Sequence, residues 1–172
     1  MLRENIREVS IAPLPGLLDG GTGGLPEAIG LLSLATLGSH HVTLGRRRSL
    51  ILWGPTRVGK TVWARSLGDH AYFCGLYSGA EALRAPATKY AIFDDIQGGI
   101  KFFPQFKNWL GCQAQFQIKV LYKDPVLIDW GKPTIWLSNS DPRVDLSPDD
   151  ATWIEGNCDI IYIEHAIFHA NT

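Results

Sequence analysis

Short apolar runs punctuate the chain from Ser49 onward, and most stop abruptly at glycine, aspartate or a Ser-Asn pair. Ser49–Trp53, Ala71–Cys74, Tyr90–Phe93, Pro133–Leu137 and Asp159–Ile163 are rich in β-branched and aromatic side chains and nearly continuous rather than alternating. Runs of that kind predict strands buried on both faces, as in a parallel sheet. Between them the pattern changes. Thr61–Leu67 and Pro104–Leu110 are compatible with helices, a polar interval holds Glu81 and Arg84, and the β-rich stretch Gln115–Asp129 predicts a hairpin about Lys123-Asp124-Pro125. Alternating strands and helices predict an α/β domain over residues 45–170, with a largely parallel central sheet flanked by helices.

Residues 1–44 follow no such rule. Pro13-Leu14-Pro15-Gly16 and Gly20-Gly21-Thr22-Gly23-Gly24 interrupt any helix, so the segment reads as a flexible Gly/Pro-rich leader. Within it Pro26 to Leu37 predicts one short helix closed by Gly38. Its apolar part, Ala28 to Leu37, is too short for a membrane span and lacks the basic flank of a secretory signal, so neither a membrane segment nor a signal peptide is expected.

The turn after the first strand carries the sharpest chemistry. Gly54, Pro55, Thr56, Arg57, Val58, Gly59, Lys60 and Thr61 fit the phosphate-binding template GxxxxGK[ST] at every required position, between an apolar strand and a helix-compatible run. Glycines let backbone N–H groups close around a phosphate, and the following helix presents the positive end of its dipole. Lys60 then reaches the β- and γ-phosphates and Thr61 offers an oxygen to Mg²⁺. The bland alternative is a Gly-rich turn, but the flanking elements are those the motif demands. ATP with Mg²⁺ is therefore the expected ligand.

Nucleotide hydrolysis also needs carboxylates to hold the metal and orient water. Asp94 and Asp95 end the strand Tyr90–Phe93, so Asp94 is assigned to the metal and Asp95 to the attacking water. Asn139 ends Pro133–Leu137 after Ser138, where a side-chain amide can touch both a phosphate oxygen and that water. Each alone is equally a turn residue; in this order behind a P-loop they form a constellation. Lys101, Lys107, Lys119 and Lys123, interleaved with Phe116, Tyr122 and Trp130, suit single-stranded nucleic acid, whose bases stack at about 1–3 kcal/mol each. Composition alone favours a solvated hairpin with core aromatics.

Global composition narrows less. Sixteen Lys and Arg against 17 Asp and Glu leave a formal charge of −1, so a polyanion site must come from local clusters such as Arg46-Arg47-Arg48, which could equally be a subunit contact. The three cysteines, Cys74, Cys112 and Cys158, are widely spaced with no CxxC, which supports neither a zinc knuckle nor a disulfide framework and fits a reducing, intracellular setting. His165 and His169 have i,i+4 spacing but lack the glutamate of a metalloprotease. Trp53, Trp63 and Trp109 read as core residues.

The order of three stretches, Gly54 to Thr61, Ala91-Ile-Phe-Asp-Asp-Ile96, and Pro133-Thr-Ile-Trp-Leu-Ser-Asn139-Ser-Asp-Pro142, resembles the helicase region of geminivirus-type replication-initiator proteins, most nearly those of genomoviruses. Trp63 to Gly68, Phe102 to Lys107, Trp109 to Ala114 and Gly156 to Asp159 carry the same likeness, which covers roughly Arg46 to Phe168. The resemblance implies a superfamily 3 helicase with an AAA+-like P-loop NTPase fold, a ring-forming, usually hexameric ATPase that tracks along single-stranded DNA in a host nucleus. Carried over, Lys60 and Thr61 belong to Walker A, Asp94 and Asp95 to Walker B, and Asn139 to the sensor. Lys123, Lys119 and Lys107, in that order of preference, fall in the DNA-contacting region. Arg143 stands where an arginine finger would be sought, since no arginine lies in Gly156 to Ile163. No nicking domain fits before Arg46, so endonuclease activity is not expected, and ring assembly could require a full-length replication protein. Two other readings stay open: a non-catalytic nucleotide-binding remnant, and a small P-loop kinase, for which no Arg-rich lid is present.

Overall fold

The structure, a computed structural model, describes residues 47–103 and 105–167. The leader, with the helix expected over Pro26 to Leu37, and Arg46, Pro104 and His169 lie outside the described residues. The described residues form seven strands: β1 Ser49–Trp53, β2 His70–Cys74, β3 Tyr90–Asp94, β4 Gln115–Ile118, β5 Val126–Asp129, β6 Thr134–Ser138 and β7 Cys158–Tyr162. Four α-helices accompany them among the described residues: α1 Lys60–Ser66, α2 Gly79–Arg84, α3 Phe106–Leu110 and α4 Pro148–Asn157.

Five strands form one parallel sheet in the order β2-β3-β6-β1-β7. The apolar runs decide that order. β1, β3 and β6 are buried almost throughout and occupy the middle, whereas β2 and β7 are partly exposed and form the edges. Successive side chains point to opposite faces. Leu50, Leu52, Tyr90, Ile92, Ile135 and Leu137 face Trp63 and Ala64 of α1, and Ile51, Ala91, Phe93 and Trp136 pack with Trp109 of α3 and Ile154 of α4. On that second face Phe73, Phe93 and Trp136 stack with ring centroids 4.5 and 5.7 Å apart, and Trp109 meets both phenylalanines edge-on. The fold is α/β and fits a P-loop NTPase, as the sequence implied.

The predicted hairpin is present: β4 and β5 pair antiparallel, with Ile118 opposite Val126 across the turn. Its inward positions Phe116, Ile118 and Ile128 join the second core, and so does Trp130 just beyond it. Phe116 and Trp130 are thus core residues, unavailable for base stacking; Tyr122 in the turn is 96% exposed.

Two helices lie where the apolar pattern predicts none: Glu81 and Arg84, in a polar interval of the sequence, lie on α2, and α4 lies between the predicted strands that became β6 and β7. Both start with a serine whose hydroxyl caps the helix: Ser78 Oγ accepts from the Glu81 N–H at 3.3 Å, and Ser147 Oγ from the Asp150 N–H at 3.2 Å. Ser-x-x-Glu and Ser-Pro-x-Asp are helix-start signals legible in the sequence. α2 also protects the sheet edge. Glu81 accepts from the Tyr72 N–H at 2.7 Å, and Arg84 donates to the His70 carbonyl at 2.7 Å.

Candidate functional site

The cleft lies at the C-terminal ends of the parallel strands, where the β1–α1 turn faces the tips of β3 and β6. Placing β6 between β1 and β3 sets Asn139 between the P-loop and the two aspartates. The cleft measures about 220 Å³ and is lined by Thr56 to Val62 on one side and by Asp94, Asp95 and Asn139 on the other.

Backbone geometry explains the loop's glycines. Gly54 has φ +143°, and a Cβ there would sit 2.1 Å from the Ile163 carbonyl oxygen. Gly59, which opens α1, has φ +92°, and Arg57 between them also takes positive φ, 64°. The segment after β7 braces this loop from outside: the Ile163 N–H donates to the Trp53 carbonyl and the Ile167 N–H to the Val58 carbonyl, both at 2.8 Å. Val58 is buried against it.

Lys60 is 7% exposed. Its ammonium donates to the Gly54 and Pro55 carbonyls at 2.7 Å and to Asn139 Oδ1 at 3.3 Å. Burial is the larger influence and holds its pKa below the ordinary lysine value, with the Asp95 and Asp94 carboxylates acting in the opposite direction. Asn139 Nδ2 donates to Asp95 Oδ1 at 3.4 Å. Since an ammonium only donates and a carboxylate only accepts, this orientation of the amide satisfies both neighbours. Lys60, Asn139 and Asp95 therefore form a bridge across the cleft.

Asp94 is 6% exposed, and its Oδ2 accepts from the Tyr72 hydroxyl at 2.7 Å. Its Oδ1 makes no hydrogen bond among the described residues. Asp95 is exposed and takes φ 45°, a left-handed conformation that turns the chain sharply after β3. With the Thr61 hydroxyl, these carboxylates supply the hard oxygen donors that Mg²⁺ prefers, so the donor set fits that ion.

Outside the cleft the expected residues separate. Lys119 and Lys123 are exposed in and beside the hairpin turn. Lys107 is elsewhere, on α3, where it pairs with Asp150 of α4 at 2.5 Å and lies 5.8 Å from the Trp153 ring. It ties two helices together, because α3 packs on the core face rather than extending the hairpin. Arg143 is likewise engaged within its own chain: it holds Asp141 at 2.6 Å and Glu155 at 3.2 Å, locking the turn after β6 onto α4. Those two carboxylates raise its pKa, the Asp141 hydrogen bond foremost. Arg48 is a clamp on β7, donating to Asp159 at 2.9 Å and to the Gly156 and Cys158 carbonyls at 2.7 and 2.5 Å, so it cannot serve as part of a free basic cluster. Trp63 and Trp109 are core residues as expected, whereas Trp53 is half-buried and lies against Tyr162, the rings tilted by 40° with centroids 4.4 Å apart. Tyr72 had no signal in the sequence: only the β2–β3 register brings it to Asp94.

No family model matches the chain. Among curated proteins it is 36% identical over 126 residues to the replication-associated protein of Tobacco yellow dwarf virus, covering 72% of this chain and 35% of that protein. It is 39% identical over 115 residues to that of Bean yellow dwarf virus (66% and 33%), and 40% identical over 121 residues to that of Maize streak virus genotype A, isolate South Africa (69% and 33%). The chain thus spans about a third of the length of the relatives it matches.

Proposed function

The chain is a homologue of geminivirus replication-associated proteins, and from that premise we propose that it is an ATP-hydrolysing helicase segment that moves on single-stranded DNA. The observation that carries the reading is the bridge in the cleft, Lys60 to Asn139 at 3.3 Å and Asn139 to Asp95 at 3.4 Å. Three residues far apart in sequence and individually ordinary meet where a terminal phosphate would lie against a P-loop.

The backbone N–H groups of the Gly54 to Thr61 loop cradle the β-phosphate, and the Lys60 ammonium spans the β- and γ-phosphates. Thr61 and Asp94 would hold Mg²⁺, which would supply charge neutralisation for those phosphates. Asp95 orients the attacking water and polarises its O–H bond, while Asn139 fixes that water relative to the γ-phosphate. Oxygen of the water bonds to the γ-phosphorus, the bond to the β-phosphate oxygen breaks, the proton released by the water passes by way of Asp95 to the departing phosphate, and ADP and phosphate leave. Lys123 and Lys119, in and beside the exposed hairpin turn, take the DNA phosphates. Assembly as a ring, or with a full-length replication protein, would couple turnover to motion, and the host nucleus is the proposed setting.

Steady-state ATPase activity across a protein titration, with and without single-stranded DNA, tests this against Lys60→Ala. Cooperative, DNA-stimulated turnover lost in the variant supports the motor. Nucleotide binding without turnover at any concentration overturns it in favour of a nucleotide-binding module.

A further inference from the structure

Tyr72 lies on the edge strand β2, outside every motif, yet its hydroxyl is 2.7 Å from Asp94 Oδ2. The register accounts for the reach. Tyr72 pairs with Ile92 and Cys74 with Asp94, so Tyr72 and Asp94 are diagonal neighbours on one face of two parallel strands, within range of an aromatic side chain. Three contacts fix the tyrosine itself. Its N–H donates to Glu81 of α2 at 2.7 Å, its ring packs against the core beneath α1, and the Arg65 guanidinium of α1 sits 4.5 Å from the ring centroid. Arg65 belongs to the same helix that begins with Lys60 and Thr61. One side chain therefore links the far end of the P-loop helix, the sheet edge and the carboxylate of the cleft.

We propose that Tyr72 is a positioning residue that holds the Asp94 carboxylate in the orientation needed to bind a divalent cation together with a nucleotide; this rests on the reading of the cleft given above. The hydroxyl occupies Oδ2 and stops the carboxylate from rotating, which leaves Oδ1 for the metal or its water. A phenol is protonated throughout the neutral range and an ionised carboxylate only accepts, so the hydroxyl is the donor in this bond. A neighbour outside the coordination sphere that orients a metal-binding carboxylate is worth roughly 10–100-fold in metal affinity.

Tyr72→Phe removes one oxygen and leaves the ring for Arg65 and the core. With the full chain, Mn²⁺ affinity in the presence of ADP is measured by electron paramagnetic resonance, and fluorescent-ADP affinity is measured in EDTA. The expected result is Mn²⁺ binding weakened about tenfold, with metal-free ADP affinity unchanged within twofold and the apparent Mg²⁺ midpoint for ATP hydrolysis shifted up to match. Unchanged Mn²⁺ affinity overturns the proposal, whatever happens to thermal stability, because a merely structural tyrosine would move only the melting temperature. Failure of the cleft reading looks different: wild-type chain that binds no ADP, or Lys60→Ala that binds it as well as wild type, overturns both.

Discussion

Asn139→Ala separates catalysis from stability more cleanly than any other change in the cleft. The side chain is exposed, and its two hydrogen bonds, 3.3 Å to Lys60 and 3.4 Å to Asp95, lie beyond the usual N–H···O distance. Lys60 keeps its 2.7 Å bonds to the Gly54 and Pro55 carbonyls when the amide is gone. Nothing buried is left without a partner, so the loss in folding free energy should stay within about 0.5 kcal/mol, or a melting shift of no more than about 2 °C. Binding should change little, because the phosphate cradle is backbone and Lys60. Turnover should fall about 10²–10³-fold, the usual effect of deleting one preorganised polar group aimed at a reacting centre, equivalent to about 2.7–4 kcal/mol of barrier. Single-turnover ATP hydrolysis, fluorescent-nucleotide affinity and thermal melting together form the assay. Turnover within threefold of wild type would refute the assignment. A melting drop above about 5 °C would show instead that the bridge is a structural tie.

Gly54→Ala should destabilise the chain by at least about 3 kcal/mol, since φ +143° is costly for an L side chain and the new Cβ would lie 2.1 Å from a backbone oxygen; denaturant unfolding matching wild type would disprove the close approach. Trp109→Ala, at the centre of the aromatic stack and fully buried, should cost about 3–5 kcal/mol by the same measurement. Lys119→Ala with Lys123→Ala should weaken single-stranded DNA binding and flatten its salt dependence, whereas Lys107→Ala, which breaks a helix-to-helix ion pair, should leave DNA affinity unchanged; equal losses in a fluorescence anisotropy titration would return Lys107 to the interface. Hydrogen bonds from Arg84 hold the Glu81 carboxyl below its ordinary value of 4.5, against the opposing effect of burial. A lowered folded-state value stabilises above the unfolded pKa and is lost as pH falls through the folded one. Acid melting below about pH 4.5 should therefore be shallower in Glu81→Gln, and an unchanged acid limb would count against the Arg84–Glu81 tie.

Local pattern alone determined the strands, the P-loop and the order of the chemical residues, because each depends on neighbours in sequence. Continuous apolar runs force burial on both faces, and GxxxxGK[ST] encodes its own backbone path. The hairpin was legible for the same reason, and the two serine-capped helices could have been. Tertiary structure alone decided which charged groups are free. Lys107 and Arg48 carry no sign in the sequence of being paired, since their partners Asp150 and Asp159 lie 43 and 111 residues away, and Arg143 adds to its near neighbour Asp141 the more distant Glu155. Tyr72 is the converse case, a side chain with no motif that gains a place beside the cleft from strand register. Local propensity cannot report such contacts, since what sets them is the order β2-β3-β6-β1-β7, and that order follows from how the whole chain buries its apolar surface.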